Sequence, residues 1–119
     1  MTPSQPRKLS SQYPDFDDPA FLTAHVEDVL GFYRGRAIDP TGGLFHTYTD
    51  DGQVYDPGNR HLVSSCRFVV SFSVSFVRTG NEGDRKFAQH GLDYLRATHQ
   101  RKDGSFAWEL RDGVVSDPR

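Results

Sequence analysis

A length of 119 residues fits one domain with a modest core, and a net charge of −2 at pH 7 without a Lys/Arg cluster argues against a nucleic-acid partner. The single cysteine, Cys66, excludes an internal disulfide and makes the reducing cytoplasm the default compartment. No apolar run resembling a signal peptide opens the chain, and the longest apolar stretch, residues 68–77, is interrupted by Ser71, Ser73 and Ser75. It reads as too short and too polar to span a bilayer, so a soluble, intracellular protein with no membrane partner is expected.

Residues 1–18 carry Pro3, Pro6 and Pro14 among Ser, Gln and Asp and read as a loose arm. Asp18-Pro19 then supplies an N-cap followed by proline at the first helical position. Leu22, Val26, Val29, Leu30 and Tyr33 recur at helical spacing, which predicts a helix over Pro19–Arg34 ended by Gly35. Residues 44–48 read as a short strand, Asp51-Gly52 as a hairpin turn and residues 53–55 as the return.

Residues 60–79 carry two conflicting signals. Residues 72–76 alternate with period two and are rich in Val and Phe, which favours a strand. Twenty residues without Gly or Pro exceed ordinary strand length and favour a helix. The helical reading puts Arg60, Ser64, Arg67, Ser71 and Ser75 on one polar stripe of a helix otherwise buried on most sides. A third helix is expected over residues 84–100, with Phe87, Ala88, Gly91, Leu92 and Leu95 inward. A second hairpin follows, with a strand over 105–110, a turn at Asp112-Gly113 and a return at Val114-Val115.

The hairpin segments resemble each other. Residues 43–57 align without a gap on residues 104–118, and seven of fifteen positions match, among them Gly43/Gly104, Phe45/Phe106, Gly52/Gly113 and Val54/Val115. Chance similarity of two common turn words is the competing explanation. A repeat of this length is one hairpin plus two helices, a unit that buries its apolar faces by stacking on neighbours. Arg119 falls where a further helix is expected, leaving an uncapped apolar face prone to self-association or to pairing with a missing C-terminal part.

The segment Arg60-His61-Leu62-Val63-Ser64-Ser65-Cys66-Arg67-Phe68-Val69-Val70, preceded by Gly43-Leu44-Phe45 and followed by residues 104–108, resembles the N-terminal portion of the N-acylglucosamine 2-epimerase superfamily, in its mannose isomerase-like branch. The resemblance covers residues 19–119. It implies a mainly α fold, an incomplete (α/α)6 toroid of helical hairpins with short β-hairpins on one face. It also implies a monosaccharide substrate, with aldose–ketose isomerisation of a mannose-like sugar or 2-epimerisation, and no redox cofactor or essential metal. On that resemblance Arg67 is the catalytic residue, its guanidinium facing the oxyanion of an enediolate. The general-base histidines of the family lie beyond the position of Arg119, so the chain is expected to be inactive alone.

His61 matches a family histidine and would orient the arginine or the sugar. His46 either faces the cavity mouth or fills a strand surface, and Trp108 either stacks on a sugar ring or plugs the core. His25, His90 and His99 read as solvated helix residues, and Cys66 as core. No residue spacing suggests zinc or a phosphate loop. Two other functional classes stay open: a non-catalytic remnant, and a helical-repeat module that binds a sugar or protein.

Overall fold

The computed structural model describes residues 13–119, and its backbone packs as two units that divide between Gly31 and Phe32. The elements are α1 (Pro19–Arg34), β1 (Asn59–His61), α2 (Leu62–Thr79), α3 (Glu82–Tyr94), a π-helical turn (Leu95–His99), β2 (Glu109–Arg111) and β3 (Val114–Asp117). The expected arm lies mostly outside the described residues.

In the first unit, the carboxylate of Asp18 accepts the Ala20 amide at 2.9 Å and its carbonyl accepts the Leu22 amide at 3.0 Å. This is the expected cap, and α1 has the expected bounds. Its expected apolar face is different. Leu22, Val26 and Val29 are exposed and Leu30 is buried, because the described part of this unit holds no second element for them to pack on. His25 is exposed and stacks on Phe21 at 5.8 Å.

The core of the second unit lies between α2 and α3. Phe72 stacks on Phe87 with ring centroids 3.6 Å apart, Phe68 lies 5.8 Å from Phe87, and Leu44, Leu95 and Leu110 are buried as well. Gly91 has a structural reason: a Cβ there would stand 2.9 Å from Leu44 and 3.0 Å from Val69. The α2–α3 connection is local. Gly80 adopts φ 73° and donates its amide to Phe76, while the Asn81 side chain accepts the Gly83 and Asp84 amides.

Helix α2 is a helix, as its length predicted, but its faces differ from expectation. It is buried on one side only, at Ser65, Phe72 and Ser75. Val70, Val74 and Val77 are exposed, and so is Cys66, which is therefore not a core residue. Ser75 leaves the expected wet stripe because Asp84, 1% exposed, accepts its hydroxyl at 2.5 Å. Arg34 grips the same carboxylate with Nε at 2.8 Å and Nη2 at 2.9 Å. The helix also starts earlier than the apolar stretch from Phe68. By length and mean hydropathy, 1.2 over 18 residues, it reaches what a membrane span needs, so the expectation of too short a run does not hold.

The real sheet is three-stranded, antiparallel and ordered β1-β2-β3, with Arg60 opposite Leu110 and Leu110 opposite Val115. Residues 60 and 61 belong to β1 rather than to the helix, because Arg60 turns inward to Asp39. The first expected hairpin contains single bridges, Ile38–Leu44 and Tyr48–Val54, instead of full strands.

The repeat is present in the backbone with a shifted register. Asp39 N–H donates to Gly43 O, Gly42 N–H to Asp39 O and Phe45 N–H to Ala37 O; Arg101 to Ser105, Gly104 to Arg101 and Ala107 to His99 reproduce them at an offset of 62. After the turn the offset is 61, since Tyr48–Val54 corresponds to Leu110–Val115. The first hairpin carries one extra turn residue. Gly43/Gly104 and Phe45/Phe106 in the ungapped alignment are thus not equivalent; Gly42 and Leu44 hold the places of Gly104 and Phe106. The second turn is of the tight two-residue kind, with φ 52° at Asp112 and 82° at Gly113.

Candidate functional site

The hairpins converge on the N-terminal end of α2. No side chain caps that end; instead Leu62 donates its amide to Trp108 O at 2.9 Å, so the helix start hangs on the second hairpin. The His61 ring meets the Trp108 ring edge-on at 4.9 Å, and the Arg119 guanidinium lies 5.7 Å from the same indole. His61 and Trp108 are therefore neighbours, both half-buried.

His46 approaches from the first hairpin. Its Nε2 lies 3.2 Å from Ser65 Oγ, and its ring stacks on Phe68 at 6.1 Å. Burial, aided by the charges of Arg60, His61 and His99, lowers its pKa to about 4. At neutral pH it is an uncharged imidazole and a weak base. Its Nδ1 is buried without a partner. The tautomer that donates Nε2–H to Ser65 leaves a bare lone pair at Nδ1, a cheaper orphan than a buried N–H.

Arg67 projects from a different side of α2. It is exposed and has no hydrogen bond, ion pair or ring contact among the described residues. Successive α-helical residues turn by about 100°, which places Arg67 with Ser64, Ser71 and Val74, away from the Ser65–Phe68–Phe72 side that meets the hairpin and α3. The structure thus gathers His46, His61 and Trp108 around the root of α2, with Arg67 standing one turn further along and facing outward.

Several polar residues behind this site gave no local signal. Arg60, 6% exposed, pairs with Asp39 and lies over the rings of Phe45 at 4.8 Å and Tyr94 at 5.7 Å. Burial works to raise the Asp39 carboxyl, but hydrogen bonds from the Thr41 hydroxyl and amide and from Arg60 outweigh it and hold the pKa low. His90 is not solvated: its Nε2 lies 3.0 Å from Asp39 O and 2.9 Å from Gly43 O. Nor is His99, which is fully buried with Nδ1 2.8 Å from Ala107 O. The π-helical turn brings His99 inward, a rotation that a regular helical wheel does not anticipate. Burial lowers the His99 pKa against the opposing pull of the Ala107 carbonyl.

A wide, open groove runs along the first hairpin beside Phe32, Tyr33, His46, Thr47, Tyr48, Thr49 and Asp50. Burial pushes the Tyr48 hydroxyl up to about 12. Among the described residues no group of three His, Cys, Asp or Glu side chains could hold a metal ion.

Residues 43–119 match the sequence profile of N-acylglucosamine 2-epimerase (GlcNAc 2-epimerase). A D-mannose isomerase of Marinomonas mediterranea is 45% identical over 105 residues, which cover 88% of this chain and 27% of that protein. A crystal structure of D-mannose isomerase aligns with a TM-score of 0.84 at 44% identity, covering 89% of this chain and 27% of its own. Cellobiose 2-epimerase from Spirochaeta thermophila shares the fold at a TM-score of 0.73 and 24% identity, over 82% of this chain and 25% of that one. The chain spans about a quarter of the length of the relatives it matches.

Proposed function

We propose, because this chain belongs to the N-acylglucosamine 2-epimerase family, that it forms the Arg67-bearing wall of a sugar isomerase site. The fold is then the N-terminal part of an (α/α)6 toroid. The substrate is a mannose-like monosaccharide, and the reaction interconverts aldose and ketose. It begins with removal of the C2 proton, which leaves an enediolate whose oxygen carries the charge. Protonation at C1 of that enediolate, with the O2 proton passed to O1 as the C2 carbonyl forms, completes the ketose.

The carrying observation is the state of Arg67. It is exposed, without a partner among the described residues and on a helix whose root is fixed by two hairpins. A guanidinium is charged at any working pH and presents planar donors to an oxyanion. His46 is not the base in this reading, since a pKa of about 4 is poorly matched to proton abstraction near neutrality. His61 and Trp108 would contact the sugar from the hairpin side, and the base would come from residues outside this chain. The outward strip of Val70, Val74 and Val77 would be covered by further helices or by a second copy.

The test is a graft. Residues 19–119 replace the matching quarter of the Marinomonas D-mannose isomerase, and conversion of D-mannose to D-fructose is followed. Arg67→Ala in the graft is expected to lower kcat/KM by about 10²–10³, the typical loss on removing an oxyanion donor. A folded, active graft whose Arg67→Ala variant retains full kcat/KM removes Arg67 from the chemistry and the proposal with it.

A further inference from the structure

We propose that His46 is a positioning residue for Arg67, fixing the turn of α2 from which that guanidinium projects, rather than a group that touches the sugar. The inference rests on the reading of Arg67 above and assigns His46 a different role from the substrate contact its hairpin position suggested.

The geometry is specific to one helical turn. His46 bonds Ser65, two residues before Arg67, and stacks on Phe68, one residue after it. No other described side chain hydrogen-bonds the Ser65 hydroxyl, although Ser65 is 2% exposed. The turn needs such a hold. The start of α2 has no side-chain cap and no acidic residue in its first turn, so the early amides receive no local support. Backbone anchoring reaches only Leu62, through Trp108 O. Ring packing takes over at Phe68, which meets Tyr33 at 5.0 Å and Phe87 at 5.8 Å. Between Leu62 and Phe68, His46 supplies the hydrogen bond to Ser65 and adds its own ring to Phe68, on the side of α2 away from Arg67.

A neutral ring suits the task. The groups facing His46 are Arg60 and His61 of β1, Ser65 and Phe68 of α2 and His99 of the π-helical turn, with no carboxylate among the charges it feels. An imidazolium would be repelled there, so the ring acts by hydrogen bonding and packing. A displacement of about 1 Å at a reacting group is enough to cost roughly 10²-fold in rate, which is the scale on which such a contact matters.

The test uses the intact chain. Amide hydrogen exchange is measured at Cys66, Arg67 and Phe68, with the Arg67 Nε–H resonance as a local signature. His46→Phe, which keeps a stacking ring and loses the nitrogen, and Ser65→Ala should each speed exchange at these three amides about tenfold and shift the Arg67 resonance. Exchange at Phe87 and Leu95 should stay as in the wild type. His46→Gln, which returns an N–H at similar reach, should restore both signals. Wild-type exchange and an unmoved Arg67 resonance in folded His46→Phe and Ser65→Ala would overturn the proposal; should His46→Phe not fold, Ser65→Ala decides alone. In the graft, His46→Phe should lower kcat about tenfold with little change in KM, and His46→Gln should recover it. Full activity of the Arg67→Ala graft would instead remove the functional reading while leaving the exchange result to judge the contact itself.

Discussion

In the first hairpin, the turn from Asp39 to Gly43 is gripped from two sides: Arg60 of β1 pairs with the Asp39 carboxylate, and His90 of α3 reaches two turn carbonyls. In the second, the turn from Arg101 to Ser105 makes the same three backbone hydrogen bonds, but Arg101 is exposed and the turn carboxylate, Asp103, serves only its neighbour Ser105. One backbone plan is therefore stabilised by tertiary contacts in one copy and by local contacts in the other. The first hairpin carries His46 and must be held rigidly if it positions α2. The second supports α2 through a main-chain bond from Leu62 to Trp108, which needs no particular side chain.

The contrast is most open to attack at equivalent backbone positions. Asp39→Ala leaves the Arg60 guanidinium buried without its counter-ion, and denaturant unfolding should show a loss of about 3–5 kcal/mol. Arg101→Ala, at the matching place in the second turn, should change stability by less than about 0.5 kcal/mol. Equal losses at both positions would erase the distinction.

Acidification probes the first hairpin next. The folded His46 binds a proton only near pH 4, whereas the unfolded chain binds it near 6.5. Between those values the unfolded state holds more protons, so stability falls as pH falls from 6.5 to 4. The linkage amounts to at most roughly 3 kcal/mol, less where water reaches the half-buried ring. His46→Gln should flatten this part of the stability curve. A comparable slope in the variant would assign the effect to another group.

Glycine substitutions give smaller effects with a clear order. Gly113 has φ 82° and open space around a Cβ, so Gly113→Ala should cost about 1–2 kcal/mol from backbone conformation alone. Gly52 has φ 87°, and its added Cβ would also collide with the Arg36 side chain, so Gly52→Ala should cost more. His90→Ala should cost about 1 kcal/mol, since both carbonyls keep their backbone donors. Thermal unfolding of the three variants ranks them, and a cheaper Gly52→Ala would show that Arg36 yields freely.

What was legible in the sequence is what is decided locally. Asp18 and Pro19 mark the start of α1, and the absence of breakers outweighs the β-rich pattern of residues 72–76. The identity of α2 and the segment carrying Arg67 followed from these signals and from family resemblance. What was hidden depends on partners far along the chain. Ser75 reads as polar and wet until Asp84 and Arg34 close on it, and Arg60 reads as a helix residue until Asp39 draws it into β1. His90 and His99 read as solvated, and only the hairpin carbonyls that His90 meets and the π-helical turn that buries His99 place them otherwise. The repeat was visible at an offset of 61, but the extra turn residue that shifts half of it to 62 shows only in the hydrogen bonds.

The most direct measurement of the central claim is deuterium wash-in at C2 of D-mannose in D2O, followed by NMR with the graft and its Arg67→Ala variant. Stabilisation of an enediolate by Arg67 predicts that C2 exchange falls in Arg67→Ala by the same factor as turnover. Undiminished C2 exchange in that variant would contradict the account.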